Sequence, residues 1–136
     1  MDQNEAQIEK KPETNWTWFL FSLKGRISRK PFWIFNAIIF SGGILLGLFT
    51  DVTHDVNNIS KSQLMFMLWI FYPSLAVQAK RWHDINKSAW WLMLNLIPII
   101  GPIWALIENG FITGTRGPNR FGNDPLEESR LQRSRQ

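Results

Sequence analysis

Pro31 to Thr50 reads PFWIFNAIIFSGGILLGLFT, twenty residues without a charge. At a helical rise of ~1.5 Å per residue, about that length crosses the ~30 Å hydrocarbon core of a bilayer. The stretch carries no recurring polar face, which a helix of a water-soluble protein would need on its outer side. Two more stretches follow the same pattern. Gln63 to Ala79 (QLMFMLWIFYPSLAVQA) is uncharged for seventeen residues, and Ser88 to Ile107 (SAWWLMLNLIPIIGPIWALI) for twenty. The expected class is therefore all-α: a polytopic membrane protein with three hydrophobic helical segments, at about 31–50, 63–79 and 88–107.

Working outward, Met1 to Asn15 is acidic and polar and reads as a disordered leader. It lacks the pattern of a cleaved secretory signal, so the first long run is expected to act as an uncleaved anchor. Trp16 to Leu23 (WTWFLFSL) is apolar but too short to span; with the basic run behind it, it predicts an interfacial helix. Trp33, Trp82, Trp90 and Trp91 flank the apolar runs, where an indole meets lipid with its ring and water with its N–H. The membrane domain is placed at 16–125 and a short polar tail at 126–136. Asp124-Pro125 followed by two glutamates has the order of a helix start, so the tail predicts a short C-terminal helix.

Charge sets the orientation. Lys24, Arg26, Arg29 and Lys30 precede the first segment, Asp51, Asp55 and Lys61 follow it, and Lys80, Arg81 and Lys87 outnumber Asp84 after the second. Under the positive-inside rule the N-terminus and second connection are cytosolic. A full third crossing carries Arg116, Arg120, Arg130, Arg133 and Arg135 outside. Pro98, Gly101 and Pro102 offer the alternative of two half-helices in a re-entrant hairpin. A kinked full span is adopted, with the hairpin as its alternative.

The whole chain has 136 residues, of which 45% are hydrophobic, with eight Trp, ten Phe and a formal charge of +4. That excludes a disordered chain and leaves no length for two separate cores. The absence of cysteine excludes a disulfide scaffold, a cysteine zinc site and thiol chemistry. No nucleotide-binding glycine loop, serine-nucleophile motif or HExxH helix is present.

Gly43 and Gly47 form a GxxxG in the first segment, a spacing that lets two helix backbones approach closely. Lys80-Arg81-Trp82-His83-Asp84 ends the second segment. A single His–Asp neighbour pair is too little for a metal site, and the plain reading is a turn in which Asp84 and Asn86 bond the backbone and Ser88 caps the next helix. Arg26, Arg29, Lys80, Arg81, Arg116 and Arg120 together form a candidate anion-binding face, although ordinary positive-inside anchoring explains the same residues without a ligand.

Four blocks carry a family resemblance. They are Gly25-Arg26-Ile27-Ser28-Arg29-Lys30-Pro31-Phe32-Trp33, Arg81-Trp82-His83-Asp84 with Ser88-Ala89-Trp90-Trp91, Ile97-Pro98-Ile99-Ile100-Gly101, and Gly114-Thr115 with Asn119 to Pro125. In this order and spacing they resemble the domain-of-unknown-function 805 (DUF805) family of small bacterial inner-membrane proteins. Lys80, Trp82 and Asn123 depart from its usual Arg, Leu and Pro. The resemblance implies a bacterial plasma-membrane protein without an established activity or cofactor, and it marks Arg26, Arg29, Arg81, His83, Asp84, Asn119, Arg120 and Asp124 as matched polar positions.

The functional expectation is a non-enzymatic integral membrane scaffold or accessory protein. Its candidate binding residues are Arg26, Arg29, Lys80, Arg81, His83, Asp84, Asn119 and Arg120, facing anionic lipid or a protein partner in the cytosol. Gly43 and Gly47 are candidates for helix packing in a homo-oligomer or with another membrane protein. Neither a cofactor, a metal nor a nucleic acid is expected. The alternative is a small transporter or channel subunit with a polar path past Asn95, the Pro98–Pro102 break and Glu108. A third expectation, an enzyme acting on a lipid-linked substrate through His83 and Asp84, ranks below both.

Overall fold

The computed structural model describes residues 15–49 and 59–134. The expected leader therefore lies outside the described residues except for Asn15, as do Asp51, His54 and Asp55 of the first connection and Arg135 of the tail. Among the described residues there are five α-helices: α1 Trp16–Phe21, α2 Arg29–Phe49, α3 Lys61–Asp84, α4 Ile100–Phe111 and α5 Glu127–Ser134, with a 3₁₀ helix, Ala89–Leu96, between α3 and α4.

Local chemistry sets most of these boundaries. Asn15 accepts from the Thr17 N–H at the start of α1, and Ser60 with Gln63 forms a reciprocal capping box at the start of α3. The end of α3 is a Schellman turn. Lys87 N–H reaches the Trp82 carbonyl at 2.8 Å and Asn86 N–H the His83 carbonyl at 3.0 Å, with Asn86 in the left-handed region at φ 60°. This corrects the expected turn: Ser88 makes no side-chain cap bond, and the Asp84 carboxylate bonds arginines.

Among the described residues, α2 is the one helix long and apolar enough to cross a membrane by length and composition. The 24 residues of α3 are long enough, but its last third is charged. The two helices run antiparallel. Ile27, just before α2, donates to the Lys80 carbonyl near the end of α3, while Gly42 and Gly43 sit opposite Phe66 nearer its start.

The third segment is not one kinked helix, as the adopted full span requires, but two short helices folded into a hairpin. The 3₁₀ helix leaves the end of α3, and the chain reverses at Pro98-Ile99. There Ile100 N–H closes onto the Pro98 carbonyl at 2.7 Å, and Ile99 takes φ 67°, a conformation strained for a β-branched residue. Gly101 makes the reversal tight enough, since a Cβ there would stand 2.8 Å from the Leu94 carbonyl carbon. Then α4 returns to the end it left: Phe111 meets Arg29, and Thr115 N–H bonds the Asp84 carbonyl at 2.8 Å.

Burial is inverted relative to a soluble protein. Ile38, Leu48, Phe49, Leu68 and Trp69 are more than half exposed, forming apolar surface of a kind that water does not tolerate and lipid does. A small apolar cluster of Phe19, Ile27, Phe32 and Val77 is enclosed, with Leu20, Phe35 and Leu106 against it. Beside it lie buried charges: Arg26, Lys80, Arg81, Asp84 and Asp124. Trp82, expected at the lipid–water boundary, is also fully enclosed, stacked on Trp91 with ring centroids 5.6 Å apart.

Candidate functional site

Three helix C-termini, those of α1, α3 and α4, meet at one end of the bundle. Each brings the negative end of a helix dipole and several carbonyls without an intrahelical partner. Burial removes water as the alternative partner, so side chains must supply the donors. The basic motif residues do so. Lys80 directs its three ammonium protons to the carbonyls of Trp18, Phe19 and Ser22 at 3.2, 2.7 and 2.6 Å, pinning the end of α1. Arg81 reaches the Asn109 carbonyl through Nε at 2.6 Å and the Ile112 carbonyl through Nη2, closing the end of α4. Trp33 Nε1 takes Gly110 O at 3.1 Å, and Arg29 Nη1 takes Phe111 O at 3.2 Å.

One carboxylate holds the two buried guanidiniums together. Asp84 Oδ1 accepts from Arg26 Nε at 3.2 Å, and Asp84 Oδ2 accepts from Arg81 Nη1 at 2.5 Å. The remaining Arg26 donors go to the tail, to the carbonyls of Thr115 (2.6 Å), Gly117 (2.8 Å) and Gly122 (3.1 Å). A planar fork suits this set of convergent acceptors, and a lysine could not replace it. Gly114 allows the tail to pass over the carboxylate: a Cβ there would lie 2.5 Å from Asp84 Cγ.

His83 and the tail complete the cluster. A carbonyl only accepts, so the 3.1 Å contact to Gly25 O places a proton on His83 Nδ1. The imidazole lies flat on Phe121, with centroids 4.0 Å apart and planes 8° apart. Asn119 Nδ2 donates to His83 O at 2.9 Å, and Arg120 Nη2 to Asn86 O at 3.1 Å. Asp124, itself buried, accepts from Gly117 N–H, Leu126 N–H and Arg130. Burial alone would raise its pKa, but those two N–H groups with Arg130 and Arg26 outweigh it and hold the carboxyl below its ordinary value.

All eight candidate binding residues therefore fall at one end of the bundle, but in two states. Arg26, Lys80, Arg81, His83 and Asp84 are buried and engaged within the chain, whereas Arg29 and Arg120 are exposed and Asn119 is half-buried. Gly43 and Gly47 behave differently from each other. The internal helix contact runs through Gly42 and Gly43 against Phe66, and no atom lies within 4 Å of where a Cβ on Gly47 would stand. Asn95 donates to Gln78 Oε1 at 2.5 Å, while Glu108 accepts from Trp104 Nε1 at 2.9 Å and pairs with Lys87, which stands 4.1 Å over the Trp91 ring. The acceptors that define the cluster, the carbonyls of Asn109, Ile112, Thr115, Gly117 and Gly122, had no signal in the sequence because every residue has one. Only the need for Gly114 was hinted at, by the Gly-Thr block.

Residues 20–123 match the family described as a protein of unknown function, DUF805. The inner membrane protein YhaH of Escherichia coli K12 is 36% identical over 119 residues, covering 82% of this chain and 98% of that protein. The inner membrane protein YhaI of the same strain is 34% identical over 117 residues, covering 79% and 94%. The uncharacterized protein YiiR is 31% identical over 132 residues, covering 78% and 87%. No solved structure matches the chain.

Proposed function

The chain belongs to the DUF805 family of proteins of unknown function and is a bacterial inner-membrane protein, and on that premise we propose that it acts there as a non-enzymatic scaffold or accessory protein. In this reading α2 and α3 cross the membrane and present the ends of three helices, with the tail folded over them, to the cytosol. The observation that carries the reading is what the buried charges touch. Arg26, Lys80, Arg81 and Asp84 are committed to helix ends and the tail, which supports an architectural use of the motif over an acid–base one. Around this knot stand the exposed cations Lys24, Arg29, Lys30, Arg116 and Arg120, a basic rim for anionic lipid or an acidic partner. Self-association through the open face of α2 at Gly47 belongs to the same reading.

The alternative, a carrier or channel subunit, finds less support. Asn95 and Glu108, which would line its path, pair with Gln78 and Lys87. The native chain has no cysteine, so a single one at Ser134 can be labelled cleanly with a membrane-impermeant maleimide. Protection in intact cells and labelling after lysis are expected; labelling in intact cells overturns the cytosolic placement.

A further inference from the structure

The turn at 116–122 is held by bonds from outside it as well as by its own. Arg26 grips three of its carbonyls or their immediate neighbours, Asp124 accepts from Gly117 N–H, and Asn119 and Gly122 exchange backbone bonds at 3.0 and 3.1 Å. Phe121 lies on His83, and the Arg120 guanidinium stands 4.7 Å over the Phe121 ring while one of its nitrogens bonds Asn86 O. Arg120 is nevertheless solvent-exposed, as is Arg116. An exposed guanidinium fixed on a ring and by a carbonyl has already lost much of its side-chain freedom, and its other N–H donors remain for an anion.

Two further features point to the kind of anion. Arg29 and Lys30 begin α2, the membrane-length helix, which puts their charges at headgroup depth. Phe111 and Ile112, 66% and 46% exposed, stand a few residues before the turn, at the end of α4, and offer apolar surface where an acyl chain would lie. A free anion has nothing to place there.

We propose that the 116–120 turn and the start of α2 bind the phosphate of an anionic glycerophospholipid of the cytosolic leaflet, with Arg120 as its main contact. This rests on the cytosolic basic rim described above and names its ligand. The test uses the full chain in an uncharged detergent, with thermal unfolding followed by tryptophan fluorescence during titration with dihexanoyl phosphatidylglycerol, dihexanoyl phosphatidylcholine or inorganic phosphate.

Phosphatidylglycerol is expected to raise the melting temperature, and the other two to leave it unchanged. Arg120→Gln should weaken the apparent affinity about fivefold, the effect of roughly one cation near an anionic surface. Lys61→Gln, at the opposite end of α3, should leave it unaltered. Equal stabilisation by phosphatidylcholine, equal stabilisation by phosphate, or undiminished affinity in an Arg116→Gln/Arg120→Gln variant each overturns the proposal. If one of these occurs while the cysteine at position 134 stays protected in cells, the lipid inference alone fails; labelling in intact cells removes the cytosolic rim as well.

Discussion

Replacing Asp84 with Asn should release the C-terminal tail. The Asp84 side chain is 4% exposed and faces two guanidiniums, on Arg26 and Arg81, whose side chains are 1% and 0% exposed. Removing one partner of a buried ion pair costs about 3–5 kcal/mol, because the charge left behind can neither reach water nor find a new partner. Asn keeps one oxygen for one arginine, so the lower end applies, about 3 kcal/mol, or more than a hundredfold in the equilibrium between docked and released tail. Trypsin reads that equilibrium directly, since Arg116 and Arg120 lie in the docked turn and cleavage follows the open population when closing is fast. In detergent, Asp84→Asn should be cut at these sites about a hundredfold faster than the parent chain. Arg130→Gln serves as the comparison. Its side chain is 40% exposed, and the pair with Asp124 is screened by solvent, so loss of this pair is worth less than ~1 kcal/mol. Equal cleavage of the two variants, or of Asp84→Asn and the parent, would show that the carboxylate does not latch the tail.

Lys80→Met should detach α1 and spare the tail, since it orphans the carbonyls of Trp18, Phe19 and Ser22 but touches none beyond α4. A cost of about 3 kcal/mol is expected; a cysteine at Thr17 should become reactive while trypsin resistance at Arg120 persists, and joint loosening of both refutes the division. The Asp124 carboxyl is held below its ordinary value of 3.8, so its contribution is complete above that pH and is lost as pH falls through the lower folded value. Tail protection should therefore show an acid step below pH 3.8 that vanishes in Asp124→Asn; a persisting step assigns it to another group. Gly47→Ile should abolish crosslinks between cysteines engineered on that face of α2 in neighbouring copies, and unchanged crosslinks exclude the glycine face as the contact.

Much of the fold was legible because its signals are local. The charge-free run of α2, the short aromatic α1, the Pro98–Pro102 break and the Asp-Pro start before α5 are each read from adjacent residues, and each marks a real feature. The family blocks were legible for the same reason, as residues in fixed order. The candidate site was legible only as a list. Its eight residues do gather at one end, but the sequence counted Arg26, Lys80 and Arg81 as free cations facing lipid, and they are buried donors.

The amino-acid sequence alone determined that this chain belongs in a membrane and where its third apolar segment bends, since hydropathy and backbone stiffness belong to individual residues. That the third segment folds back and brings the tail to the end of the bundle where α2 begins was decided by tertiary structure. The positive-inside rule weighs each arginine as a solvated charge, whereas Arg26, Arg81 and Asp84 act as a set only after residues 26, 84 and 115–122 come together. Their acceptors are mostly backbone carbonyls, identical at every position of the chain, so only the folded path of α4 back to the end of α3 could select which ones these arginines would bind.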